Sequence, residues 1–535
     1  MSIELVLAAV SAADLCLQYG KALMQVYRDL KGANEAVQSR LLIVEAIWKK
    51  TAIQVDFVKK IAQVLEEDHC RIHLEVLVVL KSKLGLAISK IESVVKSGPD
   101  SSVRKWKYAR IREAIDHSIT ELQQWHSVFD PTWYLILRMG NKLIDDELSL
   151  SANESVKTSP SSRSTSSYSS RSTTLVSAQS IRSIVKGETS SEIHVTLPEN
   201  GLDWNTTSKI EYSSTVLIRR KASEKIYAVD TITCNASWDL PRLRTDTEGL
   251  AKKLKREDAG MFGLLPCKGV IKRRSSETKR LSSMSLAFQL PHTDISVPPT
   301  SLRHHLLQER RFSLNRILDI AKQLARAVSF IHTFDFVHKN IRPETIIILP
   351  DHGSDPPCEF GSAYLLGFDS FRNVNFHTLK IGDDAWERNL YRHPTRQGIQ
   401  AQQAYIMQHD VYSLGVCLLE LGLWDTFVEY QSHAGEVSSG KVPGTGLGLS
   451  LDDFKFQPGN IEQTINIKKR LVNLAKTGLP ARMGDKYAST VITCLTCLDE
   501  DSEELGGEDM QDADGILVGV RFIEKVLMKL GDISL

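Results

Sequence analysis

The sequence has no excess of charge of either sign. Its 66 lysines and arginines stand against 65 aspartates and glutamates, which argues against nucleic-acid binding by bulk charge. Cysteine is sparse, with 8 scattered residues. No secretory leader is readable, because Glu4 and Asp14 interrupt the apolar stretch after Met1. The expectation is free thiols in a reducing, cytoplasmic setting. Cys494 and Cys497 form the one close pair. A lone C-x-x-C lacks the second pair of a zinc site, and an apolar helical run around it reads as core. No uninterrupted apolar run reaches the ~18 residues that span a bilayer. Any membrane contact would then come from a surface or a rearranged state.

What is present divides the chain in three. Residues 1–148 lack strand alternation and carry helical periodicity. Long helices are expected near 3–30, 34–65, 68–96 and 102–128, with Asp130-Pro131 ending the fourth and a shorter one following at 133–148. Such lengths with short connections predict an antiparallel bundle. Arg104, Lys105, Lys107, Arg110 and Arg112 cluster at the start of the fourth helix. They form either a solvated face or a patch for anionic lipid headgroups. Residues 149–195 are rich in Ser and Thr, too poor in apolar side chains to offset ordering entropy, and expected to be a disordered linker. Hydroxyls beside Arg163, Arg171 and Arg182 suit basic-directed phosphorylation.

The stretch His338-Lys339-Asn340-Ile341-Arg342-Pro343-Glu344-Thr345 follows an amphipathic helix over 314–334 and leads into a β-branched run, Ile346-Ile347-Ile348. Asp410-Val411-Tyr412-Ser413-Leu414-Gly415 opens a second apolar helix. These stretches resemble the protein-kinase catalytic loop and the D-x-W/Y-S-x-G motif. The resemblance implies a bilobal domain over 196–535, with a small lobe to about 290 and a large lobe from about 291. It makes His338, Pro343, Phe368, Asp410 and Gly415 structural positions of that fold. The chemical positions depart from the family. Asn340 stands for the catalytic Asp, Thr345 for the metal-binding Asn, and Gly367-Phe368-Asp369 for D-F-G. On the Ala228-Val229-Asp230 strand Asp230 takes the place of the nucleotide lysine. If residues 216–221 were the third strand instead, Lys221 would be that lysine. Lys209, Glu211 and Ser214 stand where the phosphate loop needs glycines. Glu248 is the candidate partner glutamate, expected to be orphaned.

Phosphoryl transfer needs a base, metal ligands and a phosphate-positioning lysine together. The expectation is therefore no catalysis, no required cofactor and no Mg·ATP binding. Within residues 1–148, Leu15-x-x-Gln18-Tyr19-Gly20-Lys21-x-Leu23, Ile43-x-x-x-Ile47-Trp48 and Leu77-x-x-Leu80-x-x-x-Leu84 resemble the fungal HeLo and HeLo-like domains. That resemblance implies a helical effector tied to a degraded kinase domain. Its expected partners are proteins, an anionic membrane surface that recruits it, or a second copy in a homo-oligomer. Membrane-acting cell death would be the output. A protein-binding adaptor and an atypical active kinase are the alternatives. The expected fold class is α plus α+β.

Overall fold

The computed structural model describes residues 2–29, 35–96, 104–157, 174–175, 177–179, 181–183, 186, 194–234, 239–255, 257–291, 297–351, 358–368, 372–373, 384–398, 403–431, 440–455, 461–502, 504–506 and 516–533. They fall into two compact units, residues 1–189 and 190–535.

The first unit is helical. Its elements are α1 (Ile3–Arg28), α2 (Glu35–Ile61), α3 (Glu67–Lys96), α4 (Arg104–Ile136) and α5 (Lys142–Lys157). α1 packs on α2 and α3, and α4 packs on the same two, so α1 and α4 lie diagonally. The core between them holds Ala13, Cys16, Leu23, Val44, Val55, Leu77, Leu80, Ile115 and Phe129. Trp125 is buried with its indole N–H donating to the Val76 carbonyl at 2.8 Å.

The fourth helix does not stop at Asp130-Pro131, as the sequence suggested, but runs through Pro131 to Ile136. Proline removes one helical donor, yet tertiary partners hold this turn. Buried Asp130 accepts from Lys50 Nζ at 2.7 Å and Gln54 Nε2 at 3.0 Å. Burial alone would raise the Asp130 carboxyl, but Lys50 and His126 outweigh it and hold it far below the usual range.

Gly20 is where α1 and α2 approach closely. A Cβ built there would fall 1.8 Å from the ring of Trp48, a rigid and buried neighbour. Gly20→Ala should therefore destabilise the bundle by about 1–3 kcal/mol, the usual cost of overpacking. Denaturant-dependent hydrogen exchange of α1 and α2 in the full chain measures this. Unchanged protection would mean that Trp48 has somewhere else to go.

Two sequence expectations need correction here. Residues 149–195 are not uniformly a disordered linker. α5 continues to Lys157, and residues 174–175, 177–179 and 181–183 are helical. Leu175, Ala178, Ile181 and Arg182 are buried in the first unit. The apolar spacing is right for one helix face, but the many Ser and Thr around it hide the signal. Secondly, α1 is long and apolar enough to cross a bilayer although no uninterrupted apolar run is. Isolated charges such as Asp14 and Lys21 break the run without removing its apolar character.

The second unit has a small and a large lobe. The small lobe is a six-stranded sheet in the order β1-β5-β6-β4-β3-β2. Its strands are β1 (Thr196–Leu197), β2 (Leu202–Lys209), β3 (Val216–Arg220), β4 (Ile226–Thr233), β5 (Cys267–Arg274) and β6 (Leu281–Gln289). β2, β3 and β4 form an antiparallel meander, and β4 then pairs with β6. Helix α6 (Leu240–Leu254) is capped by Asp239 and packs on β5 and β6. β7 (Thr300–Ser301) leads into the large lobe, β8 (Phe336–Val337) precedes the loop at His338, and β7 pairs with β9 (Ile346–Asp351), which also pairs with β10 (Cys358–Leu365).

The large lobe is built on α7 (Leu302–Leu306), α8 (Leu314–Thr333), α9 (Met407–Leu423), α10 (Ile461–Gly478) and α11 (Asp485–Leu495). Met407 to Gly422 of α9 are all buried. A Cβ on Gly415 would lie 2.7 Å from Cβ of Cys494, so this glycine lets α9 and α11 touch. Cys494 and Cys497 are both buried core thiols. After α9, Gly440–Pro443 forms a strand that pairs with Val428–Gln431. The acidic run from Asp499 is in part tied down, with Asp499 on Lys468 and Glu504 on Lys529.

Candidate functional site

The cleft between the two lobes gathers the positions that the sequence singled out. Asp230 sits on β4 opposite Leu286 of β6 and is buried. Lys221 lies in the exposed turn between β3 and β4, so the strand alternative that made it the cleft lysine does not hold. The Asp230 carboxylate accepts from Thr215 Oγ1 at 2.5 Å through Oδ1. Through Oδ2 it accepts from the backbone N–H of Gly367 at 2.7 Å and of Phe368 at 3.1 Å. Two successive amides make an anion-binding concavity. A carboxylate of the small lobe fills it and ties the sheet to the loop after β10.

Glu248 on α6 is not orphaned. It pairs with Lys272 of β5 and accepts from Arg244 Nε at 3.0 Å. Partial burial would raise its carboxyl, but these two cations outweigh that and hold it below the usual range.

The loop between β2 and β3 closes down on the large lobe. Ile210 is buried. The Glu211 carbonyl accepts from Ser301 Oγ at 2.6 Å, and its carboxylate lies 2.7 Å from His304 Nδ1. Tyr212, at φ +59°, places its ring 4.6 Å from that of Tyr430. Backbone and aromatic contacts thus stand where a glycine-rich loop would leave room for phosphates.

In the large lobe, Asp410 at the start of α9 organises the loop that holds His338. Its carboxylate accepts from the backbone N–H of His338 at 2.6 Å and of Lys339 at 2.9 Å. It also accepts from Tyr405 OH at 2.8 Å and meets His332 Nε2 at 3.2 Å. Burial pushes the Asp410 carboxyl up, but His332 and the loop amides bring it below its ordinary value. The His338 ring is buried 4.7 Å from that of Phe368, which lies 5.7 Å from Phe288 of the small lobe. Pro343 is buried in the 3-10 turn before β9. Asp369 lies outside the described residues.

Asn340 does not face an open cleft. It is buried, donates from Nδ2 to the Gly367 carbonyl at 3.3 Å and accepts at Oδ1 from Arg342 Nε at 2.8 Å. Thr345 Oγ1 donates within the same loop and accepts from Arg342 N–H at 3.2 Å. Gly367 has φ +82°, and a Cβ on it would lie 2.3 Å from Cγ2 of Thr345. The two positions where the family holds its metal are packed on each other. Neither offers a carboxylate or carboxamide, so these residues do not fit a magnesium ion.

The Asn340 geometry gives a testable result. Asn340→Asp should not produce phosphoryl transfer, because one repaired residue in an incomplete constellation gains little. It should also cost about 1–3 kcal/mol, since a carboxylate oxygen would replace the donor that satisfies the buried Gly367 carbonyl. Radiolabel transfer and a denaturant midpoint measure the two parts. Robust labelling would overturn the first, and an unchanged midpoint the second.

Sequence reasoning missed a charge cluster below the cleft. Arg303 of α7 is wholly buried, with Nε 2.9 Å from Glu344 Oε1 and Nη1 2.5 Å from Glu420 Oε1. Its Nη2 donates to Tyr391 OH at 2.6 Å, and Tyr391 OH donates to Glu420 Oε2 at 2.6 Å. Arg342 Nη1 adds a second cation 3.3 Å from Glu344. The cluster joins α7, the loop before β9, the segment before α9 and α9 itself. A lone glutamate inside the apolar run of α9 was the available signal.

Of the cationic patch on the first unit, Arg110 and Arg112 are exposed on α4. Arg104, Lys105 and Lys107 belong to the same helix, but their side chains lie outside the described residues.

The chain is similar to a Raf homolog serine/threonine-protein kinase of Caenorhabditis elegans, 26% identical over 121 residues. That likeness covers 22% of this chain and 14% of the relative's length. No family model matches the chain. The second unit has a kinase-like fold. An N-terminal helical region precedes it, and the relationship to kinases is distant.

Proposed function

We propose that the chain is a signalling protein in which a non-catalytic, kinase-like unit governs a helical effector. The carrying observation is the Asp230 carboxylate bonded to the Gly367 and Phe368 amides. In kinases the lysine at this position handles nucleotide phosphate, whereas here an anion from the protein itself engages the loop. Asn340 has no basic carboxylate, and Thr345 and Gly367 supply no metal ligands. On this reading no Mg·ATP is bound and no phosphoryl group is transferred.

The test is a thermal-shift titration of the full chain with ATP and Mg²⁺. A ligand at a hundredfold excess over its Kd adds about 2.7 kcal/mol to the folded state, so a working micromolar site would move the second unit's midpoint clearly. No magnesium-dependent shift is expected. A shift abolished by EDTA would overturn the reading.

For the helical unit we propose action at an anionic membrane, directly or after release by the kinase-like unit, as in regulated cell death. The apolar character of α1 supports it, as do exposed Ile3, Leu7, Leu42, Val78 and Leu86. Burying such side chains in a bilayer interface is favourable, and nearby cations strengthen attraction to anionic lipid. Dye leakage from anionic vesicles, reduced by Leu7→Asp and by Leu86→Asp, is the expected result. Absence of leakage from folded chain would favour a purely protein-binding adaptor.

A further inference from the structure

Residues 174–175, 177–179 and 181–183 are seated in the first unit by a built cation socket. Arg182 is buried. Its Nη1 donates to the Leu137 carbonyl at 3.0 Å and the Met139 carbonyl at 2.7 Å, and Nη2 to the Asn141 carbonyl at 3.0 Å. Its Nε donates to the carboxylate of Asp145 in the first turn of α5. Lys186 reaches the other oxygen of Asp145 at 2.7 Å. Three carbonyls and a carboxylate converge on one guanidinium, matching its planar fork of donors. The Asp145 carboxyl is held below its usual range, first by the Arg182 hydrogen bond, with burial opposing and Lys186 adding to it.

The apolar half of the contact is equally definite. Leu175, Ala178 and Ile181 recur every third residue, which puts them on one helix face, and all three are buried. Leu175 also lines a groove of about 480 Å³ between α1 and α2, with Met24, Trp48, Ile53 and Phe57. An apolar helix face that ends in an anchored arginine is a peptide-in-groove mode of recognition.

We propose that the helical unit carries a binding site for a short arginine-bearing helical peptide. The described residues of the segment from 174 to 186 occupy it in cis, and the same segment of a second copy occupies it in trans. The socket belongs to α5 and the junction before it, so it recognises the segment and not its connection. Residues 158–173 join α5 to the segment. At up to about 3.5 Å per residue their contour is on the order of 50 Å, longer than a 30-residue helix. Exchange between copies needs no new contact, only release from one socket and entry into another. The ligand class is thus set by chemistry: two large apolar residues six apart, a small residue between them, and an arginine directly after the second.

The experiment uses the full chain and a dye-labelled peptide of residues 172–188. Leu175→Asp with Ile181→Asp should free the internal segment while leaving the socket intact. This chain should bind the peptide at least tenfold more tightly than the unaltered chain, whose site is filled. A peptide carrying Arg182→Ala should bind at least tenfold more weakly. Asp145→Ala in the freed chain should weaken the unaltered peptide likewise. For exchange, a tagged freed chain is mixed with an Asp145→Ala chain that keeps its own segment. Co-purification of the mixed pair, absent when the second chain also carries Arg182→Ala, is the expected result. Hydrogen exchange of α1–α4 monitors folding. If the freed chain stays folded yet does not bind peptide, the segment is only a fixed part of this unit and the proposal fails. Peptide binding without co-purification would overturn the occupancy in trans.

Discussion

Arg303→Met should lower the stability of the kinase-like unit by about 3–5 kcal/mol, the typical cost of removing one partner from a buried ion pair. The loss arises less from missing attraction than from what stays behind. Glu344 and Glu420 would remain buried with too little compensating cation. Their present states already differ. Burial pushes the Glu420 carboxyl up despite Arg303. The same burial at Glu344 is outweighed by Arg303 and Arg342, which bring it down. Glu420 is thus the residue most dependent on Arg303. Adding Glu420→Gln to Arg303→Met should recover a large part of the loss, because a neutral carboxamide needs no counterion. Urea midpoints of the single and double variants in the full chain measure this. Equal losses in both would trace the effect to lost packing, not to a stranded charge.

Acidification should weaken the helical unit. His69 and His73 lie one turn apart on α3, with ring centroids 4.9 Å apart, and both are buried. Neither ring nitrogen of His73 has a partner among the described residues. Burial pushes His69 down to about 4. Burial first, then the neighbouring His69, puts His73 well below its ordinary value. Both folded-state values are depressed, so the unfolded chain takes up protons first as pH falls. Stability should decline from about pH 6.5 and level off once the folded histidines protonate, near pH 4 for His69. A shift of that size corresponds to about 3 kcal/mol from His69 alone, and His73 adds to it. Denaturant-dependent hydrogen exchange of α3 and α4 at pH 7 and pH 4.5 measures the decline, after correction for intrinsic exchange. His73→Leu should reduce it, leaving the part due to His69. An undiminished pH dependence in that variant would assign the titration elsewhere.

Much of this fold could be read from residue patterns, for identifiable reasons. The helix over 314–333, the loop at His338 and the helix after Asp410 are local signals, with period, breaker and capping in a single stretch of sequence. The long helices of the first unit were readable for the same reason. The connection at Pro131 was not, because a proline rule is local whereas Lys50 and Gln54, which hold the turn, come from another helix. The cleft was half readable. The identities of Asp230, Asn340, Thr345 and Gly367 marked where the sequence departs from the kinase pattern. What those residues do instead depends on partners far away in sequence. The amides that Asp230 engages lie 137 and 138 residues on. Glu248 looked solitary because Lys272 belongs to a strand whose register no local pattern fixes. The segment at 174–183 escaped notice because average composition conceals three apolar residues with regular spacing.

The Asp230 contact has a consequence for what this protein can sense. A diffusible anion occupies its site in proportion to its concentration, so a nucleotide-closed cleft follows the ratio of ATP to ADP. A carboxylate on the same chain is present at a high and constant effective molarity. Its hold on the Gly367 and Phe368 amides does not vary with the energy charge of the cell. If, as proposed, no nucleotide enters the cleft, the two lobes stay joined in well-fed and starved cells alike, and their separation becomes a matter for protein contacts or covalent modification, not for metabolism.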